Sequence, residues 1–158
     1  MSGEEDDLRA ELAALRAEVA RLRTTMPPDE LRTILEHAPD IIALMDGRGR
    51  VLYANRFAAH RKLEDIVGHN ALDFMPKEHH GAWRKAFAQA IETGEPQVVE
   101  LVSVSGFWLH TRLVRLPPHQ GELHVMGISS DVTDQRRAER ALRESEEKLR
   151  LAISAASM

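Results

Sequence analysis

The chain has 158 residues, a formal net charge of −4 and no cysteine, a size that suits one domain with extensions. The missing cysteine excludes disulfides, thiol nucleophiles, thiolate-bound metals and cysteine-linked chromophores, and the negative balance gives no general attraction to nucleic acid or anionic lipid. No apolar run approaches bilayer-spanning length, and the opening Ser2-Gly3-Glu4-Glu5-Asp6-Asp7 is acidic where a secretion signal is basic, so a cytoplasmic chain without membrane contact is expected.

Leu8, Leu12, Leu15, Val19 and Leu22 recur at alternating spacings of four and three, and Met26 continues the series. This is one narrow heptad seam along a helix. With Leu8, Leu15 and Leu22 at d and Leu12, Val19 and Met26 at a, Glu11 and Glu18 fall at g and Arg9, Arg16 and Arg23 at e. A parallel pair sets Glu11 against Arg16 and Glu18 against Arg23, whereas an antiparallel pair opposes like charges. Residues 1–28 are therefore expected to form a parallel homodimeric coiled coil, the alternative being an amphipathic helix lying on its own domain.

Pro27-Pro28 ends the seam. Asp29 then caps a short helix carrying Leu31, Ile34, Leu35 and Ala38, which Pro39 stops. An apolar strand at 41–45, the turn Asp46-Gly47-Arg48-Gly49 and a second strand at 50–54 read as a hairpin. Asn55 reads as a helix cap before short helical pieces over 56–72, broken at Gly68. Over 79–93 the pattern is firmly helical, with Trp83, Phe87, Ala90 and Ile91 on one face, and Gly94 ends it. Strands follow at 97–103, 107–116 and 122–130, separated by Gly106 and by Pro117-Pro118-His119-Gln120-Gly121. Five antiparallel strands with a helical wall across one face make an α+β domain over 29–133, flanked by helices at 1–28 and 134–158.

At Ser129-Ser130-Asp131-Val132-Thr133-Asp134 the last strand gives way to a charged helix. Asp131 is placed to pin the turn, and Thr133 or Asp134 to cap the helix. Such a joint turns a small strand displacement into movement of a whole helix. The plainer reading is capping alone. In the helix, Ala138, Leu142, Ser145, Leu149 and Ala152 repeat at four and three, giving a second coiled-coil seam through Leu142 and Leu149. Its small residues leave a competing register through Ala141, Ser145 and Lys148 close in energy.

Several pieces occur in a set order: Ile34-Leu35-Glu36-His37-Ala38-Pro39-Asp40 before the first strand, Asp46-Gly47 in the turn, and Tyr53-Ala54-Asn55 after the second strand. Gly68-His69 precedes the long helix, Glu92-Thr93-Gly94-Glu95-Pro96 ends it, and Asp131-Val132-Thr133 closes the segment. In this order 31–133 resembles a PAS domain, a sensory fold. The resemblance implies a five-stranded antiparallel sheet cupping a small cavity, with a signal carried onward by the helix after Thr133. It implies a sensory and dimerisation module, the N-terminal input of a sensor histidine kinase with its catalytic output beyond residue 158. The alternatives are the input of a diguanylate cyclase or phosphodiesterase, or a structural interaction module without ligand. Residues 146–153 resemble the linker that leads into another such domain.

Catalysis within the chain is not expected. Of eight histidines only His79 and His80 are adjacent, and neighbours on a helix point apart, which does not suit a shared metal. Ser129-Ser130-Asp131 lacks a nucleophile elbow. In the haem-binding branch of the PAS family the ligating histidine lies seven positions after a Met-Pro pair; counted from Met75-Pro76 that position is Trp83, which argues against haem. The flavin-adduct branch needs a cysteine, which is missing. What remains is an apolar pocket lined by Tyr53, Phe74, Trp83, Phe87, Trp108 and Met126, with Asn70 and His80 as its polar groups and a small apolar molecule as its ligand. A core filled by the same side chains satisfies the pattern equally.

Overall fold

The computed structural model describes residues 2–23, 28–57 and 61–158, with the side chains at 2, 4, 18–23 and 28 outside the description. The expectations placed on Glu18, Val19, Leu22, Arg23 and Met26 lie outside the described residues. The chain divides into two compact units, 1–38 and 39–158. In the first, α1 (Ser2–Arg23) is one unbroken helix on which Leu8, Glu11, Leu12, Leu15 and Arg16 are exposed. α2 (Pro28–His37) starts one residue before the expected cap. Proline suits a first helical position, where no N–H donor is needed, and Asp29 and Glu30 follow in the first turn.

The second unit is built on one antiparallel sheet. β1 (Ile41–Asp46) and β2 (Val51–Ala54) form the hairpin; β3 (Gln97–Val102), β4 (Trp108–Arg115) and β5 (His124–Asp131) complete the order β2-β1-β5-β4-β3. First and last strands thus lie side by side, inside the sheet. In the hairpin turn, Asp46 Oδ1 accepts from the N–H groups of Arg48 and Arg50 at 2.9 and 3.0 Å. Asn55 does not cap a helix. Its side chain instead reaches back across the hairpin, accepting from the Ile42 N–H at 2.7 Å and donating to the Asp40 carbonyl at 3.0 Å, which fixes where β1 begins.

Three single-turn helices (Leu63–Asp65, Ala71–Phe74 and Lys77–His79) and α3 (His80–Thr93) form the wall over one sheet face. α3 buries Trp83, Ala86, Phe87 and Ala90, the i, i+3, i+4, i+7 stripe of a one-sided helix. Gly94, at φ +71°, closes it and donates its N–H to Ala90 at 3.1 Å. Arg115 of β4 donates to the Ile91 carbonyl at 2.6 Å, satisfying a group the helix leaves free. The core lies between wall and sheet, with Met45, Ile66, Leu113 and Val125 almost wholly enclosed. From β5 the chain passes into α4 (Thr133–Ala156), which is exposed at every residue beyond Arg136. Leu142 and Leu149 on the expected seam, and Leu151 and Ile153 off it, are all about 60% exposed.

Candidate functional site

Between wall and sheet is a cavity of about 80 Å³. Ile41, Ala43 and Met45 of β1, Leu109 of β4, and Phe74, Met75 and Trp83 of the wall supply apolar sides. The sheet floor is different: Thr111 of β4 and Gly127 and Ser129 of β5 all face the cavity. Thr111 and Ser129 are partners in the ladder, and their hydroxyl oxygens are 2.8 Å apart. Gly127 keeps the floor open, because a Cβ there would approach the Met45 Cε to 3.2 Å and the Leu113 Cδ2 to 3.6 Å. Ser103 completes the polar groups and accepts from the Phe107 N–H at 3.1 Å.

Of the residues expected at this pocket, Phe74 and Trp83 line it. Phe87 is buried and stacks on Trp83 with ring centroids 6.3 Å apart, supporting the wall from behind. Tyr53, Trp108 and Met126 are not at the cavity. The register slips between Leu44 and Met45, so Val51 opposes Met45 while Tyr53 opposes Leu44; Leu52 is the additional residue, and it turns Tyr53 to the outer face. On β4, Leu109, Thr111 and Leu113 face inward, which sends Trp108 outward. On β5 the same alternation places Met126 outside and Gly127 inside.

The two expected polar groups also have other work. Asn70 donates to the Arg48 carbonyl and accepts from the Leu72 N–H, both at 3.0 Å, tying the hairpin turn to the wall. His80 sets its Nε2 2.9 Å from the Leu72 carbonyl and 3.1 Å from that of Met75; two carbonyls around one ring nitrogen require that nitrogen to carry the proton. Among the described residues no cluster of three or more His, Asp and Glu could hold a metal ion.

A second constellation joins the sheet to α4. Asp131 Oδ1 accepts from the Thr133 N–H at 2.9 Å and from its hydroxyl at 2.5 Å. The same hydroxyl oxygen accepts from the Trp108 N–H at 2.9 Å, and the Val132 N–H donates to the Trp108 carbonyl at 2.9 Å. Thr133 is buried and does not cap the helix; the residue ahead of α4 is Val132, which makes no side-chain cap. Asp131 instead satisfies the first helical N–H, and Thr133 locks onto β4. Arg136, one turn on, lies over the Trp108 ring at 4.9 Å and pairs with Glu100 of β3. Three strands and a helix are thereby held in one network. Cavity and clamp are close in the ladder: Thr111 pairs with Ser129, and Leu109 with Asp131, one step along on the same face.

The sequence reading missed Thr111, Gly127 and Ser129. Their signal was available as small or hydroxylated residues at the inward parity of two strands, flanked there by Leu109, Leu113 and Val125.

The family model described as the PAS fold matches residues 35–137. The chain belongs to the PAS family. Members of this family are sensory rather than catalytic modules. Among solved structures, the PAS domain of an HTR-like protein from Haloarcula marismortui is 21% identical with a TM-score of 0.57, over 73% of this chain and 98% of that one. The PAS domain of nitrogen regulation protein NR(II) from Vibrio parahaemolyticus is 15% identical with a TM-score of 0.52, over 63% and 95%. An RNA-binding light-oxygen-voltage receptor is 20% identical with a TM-score of 0.57, over 81% of this chain but 40% of that one. At these identities the likeness concerns the fold. No curated protein sequence matches the chain, and among the described residues no helix is long and apolar enough to cross a membrane.

Proposed function

We propose that this chain is the sensory and dimerisation module of a cytoplasmic signal-transduction protein, the N-terminal input of a sensor histidine kinase. The PAS cavity receives the input, the Asp131–Thr133 clamp passes it to α4, and α4 delivers it as part of a parallel homodimer to an output domain in cis. The observation that carries this reading is the clamp. A cap alone would serve a helix that merely followed the domain; here Asp131 does that work, and the first helical residue is in addition buried and bonded to two strands. The same strands floor the cavity, so a change of contact at Thr111 or Ser129 acts on the segment that holds Thr133.

The test is Asp131→Ala in the protein carrying its output domain. The cost should be about that of a lost cap, roughly 1 kcal/mol, leaving the PAS domain folded by circular dichroism, while kinase output becomes independent of the input. Normal regulation in a folded variant rules out the relay.

A further inference from the structure

The floor of the cavity says more about the input than its size does. Thr111 is about 1% exposed, and its hydroxyl meets that of Ser129 inside otherwise apolar walls. Two hydroxyls carry two protons, and only one of them is used in the bond between them. Either oxygen can be the donor of that bond, so the second proton can sit on either hydroxyl. No buried side-chain nitrogen or oxygen among the described residues lacks a partner, so the second proton is available to an occupant with an acceptor atom without loss of the bond between the hydroxyls. Among the described residues no charged side chain lines the cavity, so an ion would lose its hydration there with no such side chain to replace it. A volume of about 80 Å³ corresponds to roughly three waters and is about half of the roughly 150 Å³ that takes benzene, the space of a short branched chain rather than a ring.

Resting on the reading of the cavity as the input site, we propose that it binds a small uncharged molecule with one hydroxyl or carbonyl group, recognised by the Thr111–Ser129 hydroxyl pair. The ligand's polar atom joins the pair, its apolar body lies against Met45, Phe74 and Trp83, and carboxylates, amines and phosphates are refused. The pair lies one ladder step from Leu109 and Asp131, so the polar group that selects the ligand is close to the clamp.

Acetone and isobutene have nearly the same shape and differ in the carbonyl oxygen. Their different hydration is common to every variant, so the change in their relative affinity when a hydroxyl is removed measures recognition by the pair. Binding of acetone, isobutene and acetate to the whole chain is followed by the methyl chemical shift of Met45. Both neutral probes should bind, and acetate should not. Thr111→Val keeps the shape and removes the hydroxyl; it should weaken acetone at least tenfold relative to isobutene, and Ser129→Ala, which must keep the native fold signature, should do the same. A ratio that survives both substitutions overturns hydroxyl recognition while leaving the cavity as the input site. Failure of both neutral probes to shift the Met45 methyl, at the highest concentration that leaves the fold intact, overturns the input reading as well. Tight binding of acetate overturns the exclusion of ions.

Discussion

Gly94 and Gly68 both adopt positive φ, at +71° and +88°, but their surroundings differ. At Gly68 an added Cβ meets nothing within 4 Å, whereas at Gly94 it would come within 2.5 Å of the Arg115 guanidinium. Gly68→Ala should therefore cost only the left-handed backbone, roughly 1–2 kcal/mol. Gly94→Ala should cost that and about 1 kcal/mol more, because Arg115 must leave the Ile91 carbonyl it meets at 2.6 Å. Gly81 supplies the control. It lies inside α3 at an ordinary φ with open space around it, so Gly81→Ala should stabilise by about 0.4–1 kcal/mol. Urea midpoints at unchanged slope measure all three. Equal losses at positions 68 and 94 would show that Arg115 gives way freely and that its bond to α3 contributes little.

At the scale of elements, the clamp depends on one hydroxyl with two roles. Thr133→Val leaves the Trp108 N–H without its acceptor and takes one of two donors from Asp131, so a loss of about 1–3 kcal/mol is expected. Hydrogen exchange locates it: the Trp108 amide and the first turn of α4 should lose protection while β1 and β5 keep theirs. Uniform loss across the sheet would mean that the clamp supports the fold rather than the joint. The joint itself was legible in the sequence, since Asp131 and Thr133 stand where an apolar strand meets a charged helix. α3 was legible for a similar reason: a helix buried on one side writes its face as Trp83, Phe87 and Ala90. The strands were harder to read. One additional residue at Leu52 reverses the facing of Tyr53, and no local signal marks it. On β5 a floor for a cavity requires small and polar groups, so Gly127 and Ser129 face in while Met126 and Ile128 face out, the reverse of the usual rule that bulk marks the core. A pocket list drawn from large apolar residues was bound to name Met126 and miss Thr111.

At the scale of the whole molecule, the leucines of its two long helices stand in solvent. Leu8, Leu12 and Leu15 are 66, 48 and 59% exposed on α1, and Leu142 and Leu149 are 60 and 62% exposed on α4. Scattered leucines need no explanation, but these recur at heptad spacing with Glu11 and Arg16 at the flanking positions. Each exposed ion pair contributes at most about 1 kcal/mol, so the apolar seam must supply most of the association and the charges its direction. A seam of this length is marginal alone, and α4 has alanine and serine between its leucines, so neither helix should dimerise strongly without the other. Sedimentation at micromolar concentration should show a dimer for the intact chain, and deletion of residues 1–26 should weaken it. Leu15→Asp should weaken it nearly as much, since one carboxylate in a short seam must be desolvated or hold the helices apart. Replacing Glu11 and Glu18 by Arg should weaken a parallel dimer at low salt, with partial recovery as added salt screens the repulsion. An antiparallel pair would change little, because Glu opposite Glu would become Arg opposite Arg in the two chains. An unaltered profile for Leu15→Asp would show that the seam of α1 does not hold two chains together.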